Sequence, residues 1–104
     1  MKYLNGTDSS DTLAVSLSFL SENYQIKPRD GNDVVYGGLG NDEINAYVDS
    51  SGERRFYSTT GSLEAYGGGG DDLIGGKPGN DYLEGGDGSD YIWSKGGEDV
   101  LKGD

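Results

Sequence analysis

Seven aspartates occupy one position of a recurring nine-residue block: Asp11, Asp33, Asp42, Asp72, Asp81, Asp90 and Asp99. Carboxylates are hard oxygen donors, and a row of them in register repels itself unless cations lie among them. Two residues after each aspartate comes an apolar side chain: Leu13, Val35, Ile44, Ile74, Leu83, Ile92 or Leu101. Two residues before it stands Gly31, Gly40, Gly70, Gly79, Gly88 or Gly97, with Ser9 in the first block. Glycine in a turn admits positive φ and lets backbone carbonyls converge with no Cβ in the way. Carboxylates joined by carbonyls form an all-oxygen site, and its loose geometry suits calcium better than magnesium, which demands a tight octahedron. An aspartate in an isolated Gly-Asn-Asp is ordinarily a solvated turn residue; seven in one register point to ligands. The candidate metal ligands are therefore the seven aspartates, with the carbonyls of the turn glycines Gly38, Gly40, Gly68, Gly70, Gly79, Gly86, Gly88 and Gly97.

The blocks that position these residues abut one another. Residues 67–75 read GGGGDDLIG, 76–84 GKPGNDYLE, 85–93 GGDGSDYIW and 94–102 SKGGEDVLK. Upstream, 28–36 read PRDGNDVVY and 37–45 GGLGNDEIN, while 6–14, GTDSSDTLA, keep the spacing of Asp and Leu. A fixed period of this kind signals stacked repeats. Six turn residues and three strand residues advance the chain half a coil, so equivalent turns stack on one edge eighteen residues apart. The expected fold is all-β: a parallel β-roll, a right-handed β-helix of nonapeptide repeats, with an inserted loop or hairpin. One inward apolar residue per strand makes a thin core beside a large ordering cost, so folding is expected to need metal.

A single module, 1–104, is expected, with an uninterrupted repeat stack over 67–104. Residues 15–27 and 46–66 break the phase. In the first, Val15, Leu17 and Phe19 alternate with serines in the pattern of a half-buried strand. In the second, Ala46 and Val48 alternate with polar residues before Asp49-Ser50-Ser51-Gly52, a turn signal, and residues 55–58 are placed to return as a strand. This second segment is read as an excursion from the coil, a hairpin or a plain loop. Asp72 and Asp90 are expected to share the clearest site, and Asp81 and Asp99 a second on the opposite edge. Asp33 is expected to face Asp11, and Asp42 the turn near Thr60-Gly61. Counting adjacent turns gives roughly three to five calcium ions.

Composition narrows the remaining functions. Eight Lys and Arg against 19 Asp and Glu leave a formal net charge of -11, with no Cys and no His. That balance opposes nucleic acid and an anionic membrane face, and no apolar stretch is long enough to span a bilayer. Thiolate zinc sites and histidine-based catalysis are excluded. No enzyme is expected, because the acidic residues follow the metal columns. A second functional reading is an anionic polysaccharide bound by Lys77 and Lys95, which share a turn position, with Arg54 and Arg55 and the outward Tyr82, Tyr91 and Trp93. The plainer account is that lysine relieves acidic crowding and that aromatics suit strands. A last apolar layer around Ile92 and Leu101 with nothing over it predicts end-to-end self-association.

The blocks match GGxGxDxUx, with U a large apolar residue, and the chain resembles the RTX (hemolysin-type) calcium-binding repeat family. Residues 37–45, 67–75 and 85–93 fit every fixed position. Lys77 replaces the second glycine of 76–84, and Pro28-Arg29 and Ser94-Lys95 replace both opening glycines of their blocks. The resemblance implies a β-roll with calcium between stacked turns, secreted by type I export. It implies a structural role beside a passenger such as a toxin, protease, lipase, adhesin or mannuronan epimerase. The family's C-terminal secretion signal is not evident where the chain stops, inside a block at Asp104.

Overall fold

Strands of two to four residues separated by glycine-rich turns have too few side chains to form a sheet locally, so each pairs with its equivalent one coil away. The computed structural model describes residues 2–14, 21–57, 60–94 and 98–103. In chain order its strands are β1 (Lys2–Asn5), β2 (Thr12–Ala14), β3 (Tyr24–Lys27), β4 (Asp33–Tyr36), β5 (Glu43–Ile44) and β6 (Ala46–Val48). They continue with β7 (Arg54–Phe56), β8 (Leu63–Tyr66), β9 (Leu73–Gly75), β10 (Tyr82–Glu84), β11 (Tyr91–Trp93) and β12 (Val100–Lys102). Two parallel five-stranded sheets face each other, ordered β1-β3-β5-β9-β11 and β12-β10-β8-β4-β2, and β6 and β7 form a separate antiparallel pair. This is the parallel β-roll that the nine-residue period predicts.

Register carries the apolar column through each sheet. In the first sheet Leu4 pairs with Ile26, Ile26 with Ile44, Ile44 with Ile74 and Ile74 with Ile92. In the second, Leu13, Val35, Ala65, Leu83 and Leu101 follow in the same way. Ile26, Val35, Ile44, Ala65, Ile74 and Leu83 are fully buried, whereas Leu101 is 47% exposed on the outermost strand. The core is therefore one file of side chains per sheet, filled in the middle coils and thin at the end.

Two strands of the coil itself, β3 and β8, lie within the segments expected to break phase. Tyr24 and Leu63 stand where other blocks carry aspartate, which hides both blocks from a search on the aspartate column. Their register is nonetheless regular: Ile26 opposes Ile44, Leu63 opposes Asp33, and Ala65 opposes both Val35 and Leu83. Tyr24 and Leu63 are buried with the core cluster, so an apolar residue at this position turns inward where aspartate would serve the edge. The stretch out of phase is correspondingly shorter. The alternating Val15, Leu17 and Phe19 lie outside the described residues.

The second excursion is a hairpin. Asn45, at φ 54 in the left-handed region that asparagine tolerates, diverts the chain from the coil, and its Nδ2 donates to the carbonyls of Gly75 (3.0 Å) and Gly76 (3.3 Å). Asp49 closes the hairpin loop, its Oδ1 accepting from the Ser51 and Glu53 amides and its Oδ2 from Arg55. The hairpin folds back onto the outer face of the first sheet. Phe56 packs over Gly75 and against Trp93, ring centroids 4.4 Å apart, while the Arg54 guanidinium lies 4.3 Å above the Tyr91 ring. On the second sheet Tyr36 stacks on Tyr66 at 5.1 Å, a contact worth about 0.5–1.5 kcal/mol.

Candidate metal centre

Alternation of the sheets sorts the turns onto two edges. Turns running from the second sheet to the first carry Asp42, Asp72 and Asp90; this is the Asp72 edge. Turns running the other way carry Asp11, Asp33, Asp81 and Asp99; this is the Asp33 edge. Along each edge a carboxylate braces the turn of the preceding coil. Asp72 Oδ1 accepts the Asp42 amide at 2.7 Å, Asp90 Oδ1 the Asp72 amide at 2.8 Å, and Asp42 Oδ1 the Tyr24 amide at 2.9 Å. On the Asp33 edge the same bonds join Asp33 to the Asp11 amide, Asp81 to the Leu63 amide and Asp99 to the Asp81 amide. With no carboxylate at Leu63, the Asp33 amide turns to the Ser62 carbonyl at 3.0 Å.

Glycines let the turn backbones of successive coils stack closely. A Cβ on Gly86 would fall on the Gly68 carbonyl, and one on Gly68 on that of Gly38; both residues have positive φ. Gly40, Gly70 and Gly88 form a second column, each against a carbonyl of the coil before. Only glycine permits such an approach. Gly79 sits likewise on the Gly61 carbonyl of the Asp33 edge. Gly97 lies outside the described residues.

The second carboxylate oxygen separates the edges. Oδ2 of Asp42, Asp72 and Asp90 is buried with no hydrogen-bond partner among the described residues. On the Asp33 edge, Asp11 Oδ2 accepts from the Thr7 amide (2.6 Å), Asp81 Oδ2 from the Lys77 amide (3.0 Å), and Asp33 Oδ2 from the Lys77 ammonium. Leaving a buried acceptor unpaired costs about 1–3 kcal/mol, more when it is charged. Burial accordingly pushes the Asp42 carboxyl up to about 7, and burial together with the nearby Asp42 and Asp90 charges pushes Asp72 up to about 8. Asp90 is raised for the same first reason, and Asp81 is raised by burial to about 6. The Oδ2 atoms of Asp42, Asp72 and Asp90 lie beside the first-position glycines Gly37, Gly67 and Gly85 of the same turns, and three buried carboxylates with free oxygens fit a hard divalent cation. Among the described residues no three acidic side chains converge on one point, so such a cation would draw most of its ligands from backbone.

Two expectations about placement need correction. Asp42 does not face the turn near Thr60-Gly61. It stacks on the Asp72 turn, while Thr60 and Gly61 lie on the Asp33 turn, the Thr60 amide donating to Asp30 Oδ1 at 2.9 Å. The hairpin between residues 45 and 57 does not shift the edge to which a turn belongs, because the chain re-enters the coil where it left it, with the Tyr57 amide on the Asn45 carbonyl. Lys77 is not an outward cation either: it is 0% exposed, drawn in by Asp33. Lys95 lies outside the described residues. Tyr91 and Trp93 do leave the roll outward, but the hairpin lies against both.

A further column escaped the sequence reading. Side-chain oxygens at the fifth block position accept amides from the next coil: Asn23 from Asn41, Asn41 from Asp71, Asp71 from Ser89, Asn32 from Ser62 and Asn80 from Glu98, at 2.7–3.0 Å. The preference for Asn, Asp or Ser beside the aspartate column was its signal. This ladder satisfies turn amides and leaves the sixth-position carboxylates to the edge.

The model of the RTX calcium-binding nonapeptide repeat matches residues 29–48 and 66–101 in four copies, a little over half of the chain. No curated protein and no solved structure matches it.

Proposed function

Because the chain belongs to the RTX calcium-binding nonapeptide-repeat family, we propose that it folds around calcium held along the Asp72 edge and serves as a structural and stabilising module of a secreted protein. The buried, unpartnered Oδ2 atoms of Asp42, Asp72 and Asp90 carry this reading. Asp42 with Asp72, and Asp72 with Asp90, would each hold an ion, completed by carbonyls of Gly38, Gly40, Gly68, Gly70, Gly86 and Gly88. Asp81 with Asp99 would add a site on the other edge, for about three in all. Bound calcium supplies the positive charge that lets these carboxylates stay ionised while buried. Each ion held at a hundred times its dissociation constant adds about 2.7 kcal/mol. Outside the cell calcium is plentiful, which suits a module exported unfolded and folded on arrival.

Circular dichroism in chelator should show a largely unfolded chain at neutral pH, and millimolar calcium should bring up a β signal, with magnesium a poor substitute. Trp93 emission should shift blue in step, since Phe56 packs against it only when the hairpin is seated. Identical spectra with and without calcium would overturn the proposal.

A further inference from the structure

Lys77 stands at the block position where Gly38, Gly68 and Gly86, and also Arg29, take the left-handed region. Pro78 follows it, and a residue before proline is driven toward extended backbone; Lys77 is not among the residues with positive φ. Its side chain enters the edge instead of leaving it. The ammonium donates to Asp33 Oδ2 and to the Gly31 carbonyl at 3.0 Å, and Lys77 and the Asp33 side chain are both fully buried. Gly31 and Asp33 are the fourth and sixth residues of their block, the same positions whose carbonyl and carboxylate line the Asp72 edge.

The turn lying between Asp33 and Lys77 explains why an ammonium suits this place. Its sixth residue is Leu63, paired in register with Asp33 on one side and donating its amide to Asp81 Oδ1 on the other. A calcium ion beside it would meet the Asp33 carboxylate and no second one, leaving a divalent charge half balanced in a buried setting. One ammonium matches one carboxylate, and its remaining donors serve carbonyls. We infer that the Lys77 ammonium is a built-in cation taking the place of a calcium ion beside Asp33, so that this coil is closed by the chain itself. The clamp joins turns separated in sequence by the hairpin, the point where the repeat is interrupted. The inference rests on the calcium reading only for the identity of the ion replaced.

Two measurements on the full chain test it. Native mass spectrometry at saturating calcium should count one more ion on the Lys77→Gly/Leu63→Asp double variant, which rebuilds an ordinary turn pair, than on the parent. In calcium titrations of folding, Lys77→Met should raise the midpoint by roughly tenfold or more, because it keeps the bulk but strands the Asp33 charge. Asp33→Asn in the Lys77→Met background should restore most of that loss; should Lys77→Met fail to fold at all, recovery of folding in that pair stands as the same result. An unchanged ion count, a Lys77→Met midpoint within about twofold of the parent, or no recovery in the pair would overturn the inference. A parent that takes up no calcium would overturn the calcium reading itself, whereas a parent that loads normally beside a double variant that gains nothing would overturn the inference alone.

Discussion

Buried carboxylates at Asp42 and Asp72 tie the fold to two competing cations, calcium and the proton. Their folded values, about 7 and about 8, lie above the ordinary carboxylate value that an unfolded chain shows. A group raised on folding binds its proton more tightly in the roll than in the open chain. Without calcium, the stabilisation this brings is therefore complete below about pH 4 and is lost as pH rises through 7 to 8. In metal-stripped buffer the β signal should accordingly be stronger near pH 4.5 than at pH 8.5. With calcium the order reverses, since protons displace the ion. Circular dichroism at both pH values with and without calcium checks both signs, and a metal-free chain more structured at alkaline pH would contradict them.

Strands this short hold position through what crosses them, and the hairpin β6–β7 is the clearest case. Gly75 belongs to β9, where a Cβ would run into the Phe56 ring. Gly75→Val should lift Phe56 from the sheet, cost about 1–3 kcal/mol as an overpacking change, and shift Trp93 emission red while leaving the Asp72 edge able to load. Unchanged emission would show that the hairpin is not seated there. The excursion and its turn were legible in the sequence because Asp49 to Gly52 is a strong turn signal; the face it covers was not, because the reason for glycine at position 75 is Phe56, nineteen residues away. Strands β3 and β8 were hidden for another reason, since Tyr24 and Leu63 replace the residue by which a block is recognised. The aspartate and apolar columns were legible in the seven blocks that carry both, the aspartate deciding the edge and the apolar residue two further on the core.

Across the whole molecule the two edges, alike in sequence, differ in what neutralises them. Thr7 and Lys77 serve Asp11, Asp33 and Asp81 from within the chain, while Asp42, Asp72 and Asp90 keep free oxygens. Period alone could not show this, because a lysine at a turn position reads equally as a solvated charge until the proline beside it and the leucine opposite are seen together in space. The account places calcium along the Asp72 edge and between the Asp81 and Asp99 turns, with an ammonium at Asp33, and anomalous diffraction from crystals grown in calcium observes both cations' places directly. It predicts peaks between the Asp42 and Asp72 turns, between the Asp72 and Asp90 turns and between the Asp81 and Asp99 turns, with none beside Asp33 and Lys77. Crystals of the folded roll with no peak at either Asp72 site, or with a peak in the place of the Lys77 ammonium, would contradict it.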